Sequence, residues 1–504
     1  MIRGSVLAVV SLLSSEAASL PVWPLPSSVS SGTAKLDVSR DFSFKSQSPS
    51  TFLEQAFTRY LNLINTDESS DTGLLQVCEV QVSELYDDEA ATLQLNVNES
   101  YELSISSSGI CTISSQTVWG ALHGLETFSQ LLERSDTGSV SCSFAPVSIS
   151  DTPRFTHRGL LIDSSRHFLP TFEIERIIDS ITMNKLNVLH WHMVDAQSFP
   201  VDTPSAPLMI KGAYSPSMTY SMDQIKSLST YASDRGVRML LEVDIPGHAG
   251  AWQYGYPEIM ADCLQKYTNI NNYALNPTLD ETYVVVEQVI RDIISTTGVK
   301  TFHVGGDEVV YNCWANDKGI VSWMNAHGMK DYDDLLEYFV LKVDKIVRDL
   351  GATPVHWEEV FTAGVNVDPS TVFEVWTAQS QMAGVANANF TVISAPSDVW
   401  YLDHADNTWD VMYEYDPTST LTTAQKSLVL GGEVAMWGEH VDENNIESIV
   451  YPRANSVAER LWSDASINNA DAAHDRFNSQ RCRMISRGFH PSAIEPGFCG
   501  QNLI

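Results

Sequence analysis

The residues best equipped for chemistry are Asp307 and Glu308, in the run His303-Val304-Gly305-Gly306-Asp307-Glu308-Val309. Two adjacent carboxylates are the pair that acid/base work on a glycosidic or acyl bond requires. They follow Val299-Lys300-Thr301-Phe302, a β-branched and aromatic run that reads as a short buried strand. The two glycines between carry no Cβ, which predicts a close approach of the backbone to a ligand. Acidic pairs also end strands on solvated loops without catalytic meaning, so the surrounding chain has to decide.

From Arg158 onward, apolar strand-like runs recur, separated mostly by helical stretches. They are Gly159–Asp163, Asn187–His192, Val237–Val243, Lys300–Val304, Pro354–Trp357, Val372–Trp376, Thr391–Ser394 and Leu428–Gly432. Eight strands in roughly 350 residues predict a (β/α)8 barrel of the α/β class. No GxGxxG follows the first strand, which argues against an open doubly wound sheet. In a barrel the functional residues gather where strands end. Those ends supply Asp163 to Arg166-His167, Asp195, Asp244 with His248, Asp307-Glu308, Trp357-Glu358, Trp376, Tyr401-Leu402-Asp403 and Trp437-Gly438-Glu439. Tryptophan faces pack on the apolar face of a sugar ring, while carboxylates and Arg bind its hydroxyls in paired hydrogen bonds.

Ahead of the barrel, residues 19–150 read as a smaller α+β domain. Phe52–Leu61 and Thr117–Leu132 carry helical spacing; Thr92–Val97 and Tyr101–Ile105 alternate as half-exposed strands. The barrel domain is expected over 151–504, with a C-terminal helix. Residues 1–18 have the pattern of a secretory signal peptide: Arg3, then the apolar run Val6–Leu13, then small residues at Ala17 and Ala18. No later stretch reaches the ~18 unbroken apolar residues that a membrane span needs.

With 30 Lys+Arg against 63 Asp+Glu, the net charge of -33 repels phosphate backbones and anionic lipid, which excludes a nucleic-acid partner. Seven cysteines fit an oxidising compartment. Bridges are expected for Cys263 with Cys313 and for Cys482 with Cys499; among Cys78, Cys111 and Cys142 one is left over. Asn98-Glu99-Ser100 and Asn389-Phe390-Thr391 are glycosylation sequons.

Several segments together resemble glycoside hydrolase family 20, the β-N-acetylhexosaminidases of the lysosomal and secreted type. They are Gln116–Leu122, Arg158–His167, Asn184–Asn187, His190-Trp191-His192, Pro246-Gly247-His248, His303–Val309, Met436–Glu439 and Gly497-Phe498-Cys499. The resemblance implies a retaining exo-glycosidase that removes terminal β-linked GlcNAc or GalNAc, with no cofactor and no metal. Glu308 would be the general acid and then the base. Asp307 would orient the substrate's own 2-acetamido group, whose oxygen is the nucleophile, in one of the exceptions to the two-carboxylate scheme. Tyr401 would donate to the acetamido carbonyl; Trp357, Trp376 and Trp437 would form aromatic walls. Arg166, Asp403 and Glu439 would bind ring hydroxyls, and Asp195 and His248 would support the catalytic pair. The partner would be an oligosaccharide or glycoconjugate, the location lysosome, vacuole or exterior, and the assembly a homodimer.

The chain departs from the family pattern at Glu358, where an amide is frequent, and at Ala196-Gln197, where relatives often have an acidic residue and proline. Asp403-His404 resembles the type that favours neutral sugars; the type accepting sulfated sugars has Asn-Arg there. Two rival readings stand beside this one. His190-x-His192 puts two imidazoles on one face of a strand, as a metal-dependent hydrolase would need. A carbohydrate-binding protein on a retired scaffold is the other, although such scaffolds usually lose the acid.

Overall fold

The computed structural model describes residues 20–47, 50–65, 73–84, 93, 95–263, 269–500 and 503–504. The expected signal peptide lies outside them. In the N-terminal half, β1 (Ser28–Ser46), β2 (Leu75–Val82), β3 (Tyr101–Ile105), β4 (Cys111–Ser115), β5 (Leu132–Arg134) and β6 (Val140–Asp151) form one sheet ordered β1-β2-β4-β3-β6-β5. Strict alternation of buried and exposed residues along β3 leaves one of its faces to solvent. The other face packs on the helices Thr51–Ile64 and Val118–Gln130. Every residue of the second helix is buried, since it lies between sheet and barrel. Of the expected strand Thr92–Val97, Leu95-Asn96 is a turn, while Thr92 and Gln94 lie outside the described residues. Asn96 adopts φ 63°, a left-handed conformation that Asn tolerates. Cys78 and Cys111 face each other across β2 and β4 and are bonded, leaving Cys142 buried and free. Cys263–Cys313 and Cys482–Cys499 are bonded as well.

The second half closes into a parallel barrel of β7 (His157–Asp163), β8 (Val188–Val194), β9 (Arg238–Val243), β10 (Thr301–His303), β11 (Thr353–Trp357), β12 (Val372–Val375), β13 (Thr391–Ser394) and β14 (Val429–Met436). All seven residues of β7 and of β8 are buried, because one face fills the barrel and the other packs under helices. Alternate residues along each strand stack in layers inside. Val188, Leu240, Val355, Val372 and Ile393 plug the bottom. Above them lie His190, Glu242, His303, Glu374 and Glu433, all fully buried. Trp357, Leu161, Tyr401 and Ala435 form the apolar layer under the mouth.

Two charged clusters seal the sheet to the barrel. Arg158 grips Glu99 with Nη1–Oε2 3.1 Å and Nη2–Oε1 2.7 Å, while Lys185 Nζ lies 3.0 Å from Asp151 Oδ2. Trp462, from the barrel helix Arg453–Trp462, joins the hydrophobic core of the sheet and donates its indole N–H to Asp151. No helix among the described residues is long and apolar enough to cross a membrane.

Candidate active site

The loop after β10 turns sharply: Gly305, Gly306 and Glu308 have φ of 64°, 98° and 46°. The glycines are required by the protein's own packing, a demand the sequence reading did not foresee. A Cβ on Gly305 would sit 1.8 Å from Asp244 Oδ1, and one on Gly306 would meet Val360 Cγ2 at 2.6 Å. The Gly306 N–H donates to Asp244 Oδ1 at 3.1 Å. The turn thus presses the Asp307 carboxyl group against that of Asp244 and throws the Glu308 side chain outward, 60% exposed. A non-glycine residue held at positive φ is strained, and such strain gathers at functional sites.

A chain of buried charges backs the pair. His248 Nε2 stands 3.4 Å from Glu308 Oε2 and 3.6 Å from Asp307 Oδ2, while its Nδ1 meets Asp195 Oδ1 at 3.1 Å. Asp195 is fixed from behind by His192 at 2.8 Å and Arg166 at 2.9 Å. Arg166 also contacts Asp163 at 2.9 Å, donates its Nε–H to Gln197 Oε1 at 3.1 Å, and stands 3.6 Å from Glu439 at the rim. Burial opposes charge on His248, yet Asp195, Asp244 and Asp307 raise it well above its ordinary value, so it is a cation. The bond from that cation holds Glu308 below the usual carboxylate range. Burial pushes Asp307 up, and burial with the neighbouring Asp307 charge pushes Asp244 up well beyond it. The Asp307 carboxyl group lines the cavity, and its Oδ1 is buried.

Over these groups opens a cavity of about 230 Å³. Its aromatic wall is a chain of rings: Trp376 stacks on Tyr401 at 6.3 Å, Tyr401 neighbours Trp437 at 6.1 Å, and Trp437 neighbours Trp357 at 6.1 Å. Trp357 is pinned from below by its indole N–H to Glu242 Oε1 at 2.9 Å. Asp403, His404 and Glu439 form the exposed rim. The arrangement offers one exposed carboxylate for proton transfer, one buried carboxylate for orientation, and an apolar box beside them.

His190, Glu242 and His303 place ligand atoms within 4.8 Å of one another, as a metal would need. Most of their polar atoms pair within the tier, while His190 Nε2 and His303 Nε2 have no hydrogen-bond partner among the described residues. His190 Nδ1 lies 2.6 Å from Glu433, and Glu242 meets His192 at 2.5 Å and His303 at 3.0 Å. Burial opposes each charge, yet Glu433 raises His190 well above its ordinary value and His192 holds Glu242 well below the usual carboxylate range.

Two family models match this chain: "Glycosyl hydrolase family 20, catalytic domain" over residues 155–465, and "beta-acetyl hexosaminidase like" over residues 22–131. The chain belongs to glycosyl hydrolase family 20. It is 36% identical to beta-hexosaminidase subunit A1 of Dictyostelium discoideum, over 95% of this chain and 91% of that one. Beta-hexosaminidase 3 of Arabidopsis thaliana is 36% identical over 95% and 94%. The chitobiase of Flavobacterium johnsoniae superposes with a TM-score of 0.82 at 26% identity, covering 92% of this chain and 72% of that one.

In this family 20 enzyme the structure gathers Arg166, Asp195, His248, Asp307, Glu308, Trp357, Trp376, Tyr401, Asp403, Trp437 and Glu439 around one cavity. Glu358, at a departure from the family pattern, does not line the cavity and accepts the backbone N–H of Trp376 at 2.9 Å. Gln197, at a departure from the family pattern, is the residue that steadies the Arg166 Nε. Sequence reading placed Asp244 at a strand end without a role, and missed Glu359, which accepts from the Trp376 indole at 3.1 Å. The signal for Glu359 was its place directly after Trp357-Glu358 at the end of β11.

Proposed function

We infer that the chain is a retaining exo-β-N-acetylhexosaminidase working by substrate-assisted catalysis through an oxazolinium intermediate. The observation that carries this reading is the placement of Asp307 and Glu308: both lie within 3.6 Å of one His248 nitrogen. Two carboxyl groups on one side of a cavity do not face each other across a glycosidic bond, so the nucleophile must come from the substrate. The acetamido group enters the box of Trp357, Trp376 and Trp437. Tyr401 donates to its carbonyl, and the Asp307 carboxyl group accepts its N–H and faces the developing positive charge. Glu308, ionised in the free enzyme, takes up a proton as the leaving group covers it and removes it from water. It delivers that proton to the glycosidic oxygen, then withdraws one from the attacking water. Arg166 and Glu439 hold ring hydroxyls, as does Asp403, while Asp195 and His248 steady the catalytic pair.

A cavity of about 230 Å³, open at its mouth, is smaller than the ~300–1,000 Å³ of pockets for drug-sized ligands and suits one terminal sugar. Carboxylates at its rim, Asp403 and Glu439, favour uncharged GlcNAc or GalNAc over sulfated sugars. The proposal extends to two units meeting at residues 150–151, at the end of β6. Three disulfides support passage through the secretory pathway, to a lysosome, a vacuole or the exterior. Both sequon residues, Asn98 and Asn389, are exposed for glycosylation. The homodimer rests on the family resemblance alone.

Steady-state hydrolysis of 4-nitrophenyl N-acetyl-β-D-glucosaminide tests the reading. Glu308→Gln is expected to lower kcat by ~10²–10⁴ and to leave KM nearly unchanged. Wild-type turnover by that variant would overturn the assignment. A plain glucoside cleaved as fast as the N-acetyl sugar would overturn the substrate-assisted step.

A further inference from the structure

Two carboxyl groups that no step above uses converge on Trp376 from one short turn. Glu358, only 2% exposed, accepts the backbone N–H of Trp376 at 2.9 Å, that of Thr377 at 3.4 Å, and the Thr377 hydroxyl. Glu359 accepts the Trp376 indole N–H with both oxygens, each at 3.1 Å. One residue further on, Val360 packs beneath Gly306 of the catalytic loop, where a Cβ would meet it at 2.6 Å. The turn Glu359–Thr362 therefore touches both the wall of the pocket and the loop that carries Asp307. Trp376 has no other side-chain polar partner among the described residues, and its ring is held against Tyr401 at an interplanar angle of 17°.

We propose that Glu359, backed by Glu358, is a positioning residue that sets the plane of Trp376 and through it selects the N-acyl group of the sugar. This rests on the reading of the cavity as an acetamido pocket. An indole is free to rotate about two side-chain torsions, and packing on one face does not fix its plane. A two-oxygen acceptor on the indole nitrogen with a second acceptor on the backbone N–H of the same residue fixes both ends. The group held in front of that plane is the acyl methyl, so the plane sets how long an acyl chain the pocket admits. The charges that reach Glu359 are Asp307, from the loop after β10, and Glu358 of its own turn. The segment after β12 brings only the indole and Thr377, neither of which titrates at neutral pH. Glu359 does not line the cavity, and its side-chain hydrogen bonds among the described residues go to the Trp376 indole, so it acts through that ring and not on substrate.

The test compares three forms of the full chain on 4-nitrophenyl N-acetyl- and N-propionyl-β-D-glucosaminide. Glu359→Leu removes the acceptor. It is expected to raise KM for the N-acetyl substrate about tenfold with kcat within about twofold. It is also expected to shift the kcat/KM ratio toward N-propionyl by about tenfold, the discrimination that one methylene can carry. Glu359→Gln keeps a carbonyl acceptor and should restore KM and acyl preference to within about twofold of the parent. An unchanged KM and acyl preference in Glu359→Leu overturns the proposal, as does a fall in kcat with KM unchanged, or failure of Glu359→Gln to rescue. Failure of the parent chain itself to cleave the N-acetyl substrate counts against the proposed function instead, so the two failures are told apart.

Discussion

Glu359 carries a second consequence at the scale of one residue, because its environment makes it costly to ionise. Burial raises its carboxyl from the ordinary 4.5 to about 8, helped by the Asp307 charge. A carboxyl raised in the folded state binds its proton more tightly there than in the unfolded chain. It stabilises the fold fully below pH 4.5, and that contribution drains away as pH climbs to about 8. Glu359→Gln cannot titrate. The melting temperature of the parent should fall more than that of the variant between pH 5 and 8, and scans at both pH values check it; equal falls would show Glu359 ionised throughout. The aromatic residues of the pocket were readable from the sequence because a strand end in a barrel is an address. Trp357, Trp376, Tyr401 and Trp437 each follow an apolar run. Glu358 and Glu359 share the address of Trp357, but sequence does not say which way a side chain turns after a strand stops. One turned toward the backbone of Trp376, the other toward its indole.

At the scale of elements, the loop after β10 depends on two glycines for two separate reasons. Gly305 and Gly364 both adopt left-handed φ, of 64° and 78°, but nothing lies within 4 Å of a Cβ on Gly364. Gly364→Ala should therefore cost only the ~1–2 kcal/mol of the backbone conformation. Gly305→Ala costs that and also displaces the Asp244 carboxyl, so kcat/KM should fall by at least about a hundredfold while Gly364→Ala stays near the parent. Chemical denaturation and kinetics on the two variants separate the terms. The eight strands were legible in the sequence because each is a short run dominated by apolar residues, a consequence of burial on both faces, although β8, β9, β12 and β14 each carry a buried His or Glu. The expected strand Thr92–Val97 shows the limit. Alternation over a few residues is also what a turn carrying one buried leucine produces, and Leu93 is the buried one.

Across the whole molecule, the seam between sheet and barrel is ionic and dry. Lys185 and Asp151 are both fully shielded from solvent, and the Lys185 ammonium also meets the Tyr101 hydroxyl at 2.9 Å. Lys185→Met strands a buried carboxylate and should cost ~3–5 kcal/mol. Pairing it with Asp151→Asn should recover part of that loss, and urea unfolding of the single and double variants measures both. None of this seam was readable from sequence. Its partners stand 34 residues apart for Lys185 and Asp151, and 59 for Arg158 and Glu99, with no spacing rule to join them.

The barrel beneath the sugar pocket is filled, layer upon layer, from Trp357 through the histidine and glutamate tier to the apolar plug of Val188 and Leu240. A chain of sugars has no way through. The freed monosaccharide must leave by the mouth it entered, before the shortened chain can re-enter. On an oligosaccharide with several such units, hydrolysis is therefore expected to be distributive: the shortened chain is released after each cut, and intermediates of every length accumulate in solution.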